Sequence, residues 1–160
     1  MNGRRVYIET SVFSYLAARP SRDLLVAGHQ QVTREWWDQR LRFELFASDA
    51  VLEEAARGDK HAAALRLSLL EGVSILDPLP TAQVLAKAFL TSLALPRKAA
   101  IDAVHIALAA VHGVDFLLTW NCTHIANAAL RPRIEALCWD AGHRPPIICT
   151  PLELLEDASP

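Results

Sequence analysis

Three side chains with oxygen donors stand where strands are predicted to end or a helix to begin. Glu9 follows the apolar run at residues 6–8. Asn121 closes the apolar segment 116–121, and Asp102 opens an apolar helical segment. In α/β proteins, sites form in the crevice outside the carboxyl ends of the strands. Carboxylate and amide oxygens are the ligands of hard divalent cations, so these residue types indicate a cation site.

Two acids of the chain, Glu9 and Glu54, could also be explained by structure alone. A carboxylate at position 9 would favour the N-terminus of the following helix by about 0.3–1 kcal/mol. Glu54 lies in an amphipathic helix, where it could be an exposed residue three positions before Arg57. Helical geometry gives Glu54 and Glu53 different directions. Glu54 shares a face with Val51, whereas Glu53 points about 100° away, toward water.

Asp102 is the acid that is hardest to explain by structure alone. Residues 99–108 are nearly all apolar, and a charge among them needs a partner or a metal to offset its burial, unless it only pairs with the helix dipole. His105 lies one turn further on the same face, where it could contact the site or a phosphate, but we interpret it as a core histidine with satisfied hydrogen bonds. Cys122 and His124 are soft metal ligands, but two such residues do not make a zinc site.

Short apolar strands alternate with helical patterns along the chain. Strands are predicted at 6–8, 43–47, 73–76, 116–118 and 147–149. Thr10 or Ser11 is expected to cap the first helix, and further helices are predicted at 51–57, 60–70, 82–93, 99–112 and 130–141, with a long one after residues 20–23. The alternation predicts an α/β fold in which a short parallel sheet is flanked by helices on both faces.

The composition indicates one folded domain. The chain has 160 residues, of which 52% are hydrophobic and 21% charged. We expect a domain over residues 1–155 and a short tail at 156–160. No apolar run approaches the roughly 18 residues that cross a membrane. The apolar run before Glu9 is too short for a signal peptide, so we expect a cytoplasmic protein with no membrane contact.

Charge and motif content exclude several functional classes. The net charge of −2 gives no global positive field for nucleic acid. Arginines far outnumber lysines, which suits phosphate contacts but is explained equally by genomic base composition. No phosphate-binding glycine loop and no serine-hydrolase motif occurs. Cys122, Cys138 and Cys149 show no disulfide or metal spacing and are expected to be reduced.

Four segments of the chain together resemble the PIN-domain family, which includes the VapC-like toxins of toxin–antitoxin operons. They are YIETSV at 7–12, VLEEAARGD at 51–59, IDAVHIA at 101–107 and FLLTWN at 116–121. The order and spacing agree over nearly the whole chain. The resemblance implies a small parallel sheet between helices and a ribonuclease that depends on Mg²⁺ or Mn²⁺.

The resemblance also implies the roles of the site residues. Glu9, Glu54, Asp102 and Asn121 take the places of the four acids of the family. Glu9, Asp102 and Asn121 are expected to bind the metal, and Glu54 to contact a water or act as a base. The family usually has Asp at the first and fourth positions. Glu9 is one methylene longer, and the neutral Asn121 leaves the cluster with three negative charges, so a one-metal site is reasonable and the choice between one and two metals stays open.

The hydroxyls of Thr10 and Ser11 are expected to donate to a substrate phosphate at a helix N-terminus. The implied partners are an RNA substrate, an antitoxin protein and a second copy of the chain. The adjacent Trp36 and Trp37 differ by about 100° in direction, so we expect one of them at a surface. Two alternatives remain open: a catalytically impaired PIN-like binding module, and an interaction protein in which the polar cluster only caps helices.

Overall fold

Five short strands form one parallel sheet in the order β3-β2-β1-β4-β5. The computed structural model describes residues 3–155, and the tail expected at 156–160 lies outside them. The strands are β1 (Arg4–Ile8), β2 (Phe43–Ser48), β3 (Ser74–Leu76), β4 (Phe116–Leu118) and β5 (Ile147–Cys149). All four strand pairs are parallel. The expected fold class is confirmed.

Helices connect consecutive strands and cover the sheet. They are α1 (Thr10–Ala17), α2 (Leu24–Asp38), α3 (Asp49–Ala55), α4 (Lys60–Leu69), α5 (Pro80–Ser92), α6 (Ala100–Val111), α7 (Arg131–Asp140) and α8 (Pro151–Leu154). Among residues 3–155, none of these helices has the length and apolar character that a membrane crossing requires.

The central strand shows that both faces of the sheet are covered. Val6, Tyr7 and Ile8 are consecutive in β1, and each is 0% exposed. Successive side chains of a strand point to opposite faces, so complete burial of all three requires packing on each side. Leu117 and Leu118 of β4 are buried in the same way. Such continuous apolar burial is typical of parallel sheets.

The strand order reverses beside β1, and this reversal places the site. From β1 the chain builds outward through β2 and β3, and it then returns to add β4 and β5 on the other side. Tyr7 and Ile8 pair with Leu117 and Leu118 at this junction. Ligands of open α/β sheets bind in the crevice at such a switch point, outside the carboxyl ends of the strands.

Five helices, α3 to α7, begin within two residues of their predicted starts. The cap of α1 differs: Glu9, rather than Thr10 or Ser11, is the N-cap, and its side chain accepts a hydrogen bond from the backbone N–H of Ser11. Glutamate is not a preferred cap, so sequence rules pointed to the hydroxyl residues instead. Ser48 caps α3 by accepting from the N–H of Val51.

The tryptophan pair on α2 divides between the core and the surface. Trp36 is 0% exposed and stacks on Phe43. Trp37 is partly exposed, with its ring against Phe13 and under the guanidinium of Arg40, 4.6 Å from the ring centroid. One surface-facing tryptophan is therefore present, as the directions of the two side chains predicted.

Asp115 joins strands at the amino edge of the sheet. Its Oδ2 accepts from the backbone N–H of Arg5 at 2.8 Å, and its Oδ1 accepts from Arg144 at 2.9 Å. Its own N–H donates to the carbonyl of Arg5, and its carbonyl accepts from the N–H of Ile147. The bond from the Arg5 backbone, more than the arginine charges, holds the pKa of the Asp115 carboxyl below its ordinary value against the effect of burial.

The Asp115→Asn variant should be less stable than the wild type at pH 7, by about 1 kcal/mol of unfolding free energy, because the charged acceptor is lost. A depressed folded pKa gives stabilisation that is full above the unfolded pKa of about 3.9 and disappears as pH falls through the folded pKa. Urea denaturation should therefore show the two stability curves converging as the pH falls from the unfolded pKa through the folded pKa of Asp115. Asp77→Asn, at an exposed loop position, is the control. A difference that persists unchanged in acid would contradict this assignment.

Candidate functional site

Glu9 is a buried carboxylate that stands directly after β1. It is 4% exposed, and its backbone N–H donates to the carbonyl of Leu118. Its Oε2 accepts from the backbone N–H of Ser11 at 3.1 Å, from the Ser11 hydroxyl, and from the Thr119 hydroxyl at 2.8 Å. Ser11, which follows β1, and Thr119, which follows the adjacent β4, therefore supply three hydrogen bonds to Oε2 of Glu9.

Glu54 reaches the same corner from α3. Its Oε1 accepts from the Thr10 hydroxyl at 2.7 Å and lies 2.7 Å from His105 Nε2. Burial acts to raise the pKa of this carboxyl, but the hydrogen bonds from His105 and Thr10 and the charge of Arg57 outweigh it. The pKa of Glu54 is lowered as a result. Glu54 is therefore a carboxylate at neutral pH, while its neighbour Glu53 is exposed, as the helical register predicted.

His105 stands behind Glu54 and is 0% exposed. Its Nδ1 lies 2.7 Å from the hydroxyl of Tyr7, which in turn lies 2.7 Å from the hydroxyl of Ser48. The interpretation of His105 as a satisfied core histidine is correct, because both ring nitrogens are bonded. The residue is also part of the acidic corner, which is the alternative that its position one turn from Asp102 left open.

These groups converge at the carboxyl ends of the strands. One potential ligand atom from each of Glu9, Glu54 and His105 lies within 4.8 Å of the other two. Asp102 is not part of this group of three. It lies one helical turn before His105 on α6, so both side chains project from the same face of the helix.

Asp102 is partnered by a histidine from the loop after β4. Its Oδ2 lies 2.9 Å from Nδ1 of His124, and the two side chains are 16% and 18% exposed. The expected need of this carboxylate for a partner is thus met by an imidazole. The sequence contained a signal, since His124 is the first histidine after Asn121, but its pairing with Asp102 could not be derived from spacing.

Asn121 shapes the loop that carries His124. Its Oδ1 accepts from the backbone N–H groups of Thr123 and His124 at 3.2 and 3.1 Å. Its own N–H donates to the Thr119 hydroxyl at 2.9 Å, which connects it to the hydrogen bonds around Glu9. Side-chain amides commonly form such turns. The role of Asn121 as a metal ligand stays a prediction, since its Oδ1 already accepts two backbone donors.

The hydroxyls of Thr10 and Ser11 orient the two glutamates. Thr10 donates to Glu54, and Ser11 donates to Glu9 and accepts from the backbone N–H of Trp120 at 2.9 Å. Their predicted contact with a phosphate is not tested by this arrangement. Both hydroxyls point to the acids, and both residues stand at the start of α1.

The donor set fits a hard divalent cation. Within residues 3–155, neither Glu9 nor Glu54 forms an ion pair with a lysine or an arginine. In the part of the chain that the structure describes, all hydrogen bonds to Glu9 go to Oε2 and all those to Glu54 go to Oε1, so each carboxylate keeps one oxygen without a donor from these residues. Both nitrogens of His105 are already bonded. The available donors are therefore oxygens, which Mg²⁺ and Mn²⁺ prefer.

Comparisons with known proteins agree with this geometry. Residues 6–121 match the family model of the PIN domain. No curated protein sequence matches the chain significantly.

Two solved structures share the fold. The first is VapC20 from Mycobacterium tuberculosis, a toxin that cleaves the Sarcin-Ricin loop, with a TM-score of 0.58 and 16% identity over 74% of this chain and 92% of that one. The second is VapBC2 from Rickettsia felis bound to a DNA fragment from its promoter, with a TM-score of 0.57 and 14% identity over 91% and 98% of the two chains. Identities this low establish a shared fold.

Mn²⁺ is expected to raise the melting temperature of the wild type, because a ligand that binds only the folded state at a hundredfold over its dissociation constant adds about 2.7 kcal/mol. Glu54→Gln should reduce this shift by removing one ionised oxygen donor. Glu53→Gln, at the exposed position beside it, should leave the shift unchanged. Thermal denaturation of the three proteins with and without Mn²⁺ measures the effect. Equal shifts in all three would place Glu54 outside the cation site.

Proposed function

Since the chain belongs to the PIN-domain family, we propose that it is a metal-dependent endoribonuclease that hydrolyses phosphodiester bonds of RNA. The observation that carries the proposal is the convergence of Glu9, Glu54 and His105 at the switch point of the sheet, with Asp102 one turn away on α6. Two carboxylates without a lysine or arginine partner are costly to bury together unless they serve a cation.

Glu9, Asp102 and Asn121 are the residues proposed to hold Mg²⁺ or Mn²⁺, and Glu54, at the same corner, is proposed to contact a water of the cation. When bound, the cation lowers the pKa of a water and neutralises charge on the attacked phosphate. The chain itself orients the ligands: Ser11 and Thr119 hold Glu9, and the turn of Asn121 presents His124 to Asp102.

Glu54 is the proposed general base. Its lowered pKa keeps it ionised at neutral pH, and its Oε1 is fixed by Thr10 and His105 while the other oxygen has no protein donor. An oriented carboxylate of this kind can accept a proton from an attacking water. Proton transfer by a positioned side chain contributes roughly 10²–10⁴-fold to a rate.

Thr10 and Ser11 are the proposed substrate contacts. They open α1, and the N–H groups at a helix N-terminus favour an anion such as a phosphate. The carboxylate of Glu9 occupies the same helix end and repels a phosphate. RNA binding, and not only cleavage, is therefore expected to depend on the divalent cation.

The proposed biological role is that of the toxin of a toxin–antitoxin pair. The fold shared with VapC20 and VapBC2 supports this assignment, as do the four sequence segments that resemble VapC-like proteins. An antitoxin protein would be the inhibitory partner, and the cytoplasm, where RNA substrates are found, the place of action.

The wild type is expected to cleave single-stranded RNA with Mn²⁺ and not after chelation. Asp102→Asn should lower the rate by about a hundredfold or more, because the lost charge weakens the cation site. Asp49→Asn, at an exposed position in the first turn of α3, is the matched control and should cleave like the wild type. Gel analysis of a labelled RNA gives the rates.

Failure of the wild type to cleave RNA would decide between the ribonuclease and the binding module. A wild type that binds Mn²⁺ but cleaves no RNA under these conditions would contradict the ribonuclease proposal. It would favour the alternative in which Glu9 and Asn121 mark a PIN-like module that binds without catalysis.

We propose further that the chain forms a homodimer in which the partly exposed face of Trp37 is buried, since tryptophan is enriched at interfaces. Light scattering should give a mass near twice 17.6 kDa. Trp37→Ala should shift the population toward the monomer. Trp139→Ala, at a side chain that is 61% exposed on α7, is the control. A monomeric wild type at micromolar concentration would disprove the dimer.

A further inference from the structure

We propose that Tyr7 and His105 are a positioning pair for Glu54, in which the Tyr7 hydroxyl donates to Nδ1 of His105 and Nε2–H of His105 donates to Glu54. The catalytic meaning of this pair rests on the proposed ribonuclease function. The directions of the hydrogen bonds do not depend on that function, because they follow from which side chains in the chain can donate and which can accept.

The pair lies in a continuous chain of hydrogen bonds that joins four elements. Ser48 is the last residue of β2, Tyr7 lies in β1, His105 lies in α6 and Glu54 lies in α3. The contacts Ser48 Oγ to Tyr7 Oη, Tyr7 Oη to His105 Nδ1, and His105 Nε2 to Glu54 Oε1 are each 2.7 Å. Tyr7 and His105 are 0% exposed and Ser48 is 1% exposed. Water therefore has little access to any of the three groups.

The Glu54 end of the chain decides the first direction. The Glu54 carboxylate accepts hydrogen bonds only, so the 2.7 Å contact requires a hydrogen on Nε2 of His105. The Thr10 hydroxyl donates to the same oxygen. In a neutral imidazole with hydrogen on Nε2, Nδ1 is an acceptor. The Tyr7 hydroxyl is the group that can donate a hydrogen bond to this nitrogen.

The Ser48 end decides the remaining directions. The hydroxyl of Ser48 accepts from the backbone N–H of Val51 at 3.4 Å. If Tyr7 donates to His105, the Ser48 hydroxyl donates to Tyr7, and every donor in the chain has an acceptor. The single hydrogen of the Tyr7 hydroxyl is then used in the bond to His105.

The opposite arrangement leaves a group unsatisfied. A hydrogen on Nδ1 would have to point at Tyr7, whose own hydrogen would then turn toward Ser48. The Ser48 hydroxyl would receive two donors, and among residues 3–155 no acceptor remains for its hydrogen. A buried polar group without a partner is costly, so the structure favours the direction that runs from Ser48 to Glu54.

The consequence for the site is a fixed general base. The ring of His105 cannot offer a free nitrogen to the cation, because both nitrogens are used within the chain. It instead holds Oε1 of Glu54 and leaves the second oxygen of that carboxylate to the site. Outer groups of this kind commonly change metal affinity or activity by about 10–100-fold when they are removed.

The hydrogen-bond directions are tested first on the wild-type protein alone. Long-range ¹H–¹⁵N correlation spectra distinguish the two neutral tautomers of histidine and the doubly protonated ring. The expected spectrum of His105 shows a protonated Nε2 and an unprotonated Nδ1, with the Nδ1 signal altered in Tyr7→Phe. A protonated Nδ1 in the folded wild type would overturn the proposal.

The positioning role is tested with a conservative and a disruptive substitution. His105→Gln keeps an N–H donor for Glu54, whereas His105→Leu removes it. We expect His105→Leu to lower kcat by tenfold or more with little change in KM, and to weaken Mn²⁺ binding in calorimetry. His105→Gln should recover a large part of both. Equal values for the two variants, each folded by circular dichroism, would overturn the proposal.

Two controls separate the pair from general effects on packing. Tyr15→Phe matches Tyr7→Phe, since within residues 3–155 the Tyr15 hydroxyl has no hydrogen-bond partner. His112→Gln matches His105→Gln at the end of the same helix. Both controls should behave as the wild type. Absence of RNA cleavage by the wild type would count against the ribonuclease alone, because the tautomer of His105 and the Mn²⁺ affinities are measured without RNA.

Discussion

The cost of placing two carboxylates in one corner of a buried sheet is the constraint on which the rest of the site depends. Glu9 is almost completely buried and Glu54 is half-buried, with no lysine or arginine paired to either within residues 3–155. Charges of the same sign in a poorly solvated place repel strongly, and each also loses hydration. The fold meets this cost with hydrogen bonds from hydroxyls, a backbone N–H and one imidazole.

Each compensating group comes from an element that the parallel topology brings to the carboxyl edge. Glu9 accepts hydrogen bonds from the backbone N–H of Ser11 at the start of α1 and from the hydroxyl of Thr119 after β4. Glu54 accepts hydrogen bonds from Thr10 and His105. The bonds leave one oxygen of each carboxylate without a protein donor. A site prepared in this way loses little freedom when a cation binds, and preorganisation of this kind lowers the cost of binding and of catalysis.

Much of the architecture could be predicted because it depends on local signals. Apolar runs of three residues defined β4 and β5 with their observed bounds, since strands buried on both faces need nothing but apolar side chains. The helix α8 was missed because it has only four residues, which do not show a helical period. The cap of α1 was assigned to a hydroxyl residue, because no propensity rule anticipates a glutamate that turns back onto its own helix.

The sequence by itself determined the element order, the parallel sheet and the four polar positions that resemble a PIN-domain site, because periodicity and short motifs encode these features locally. It also separated Glu54 from Glu53 through helical geometry. Only the tertiary structure decided that His105 joins Tyr7 to Glu54 and that His124 pairs with Asp102. These contacts join residues 22 to 98 positions apart in the chain, and their existence depends on how helices pack on the sheet. Spacing along the chain carries no information about such packing.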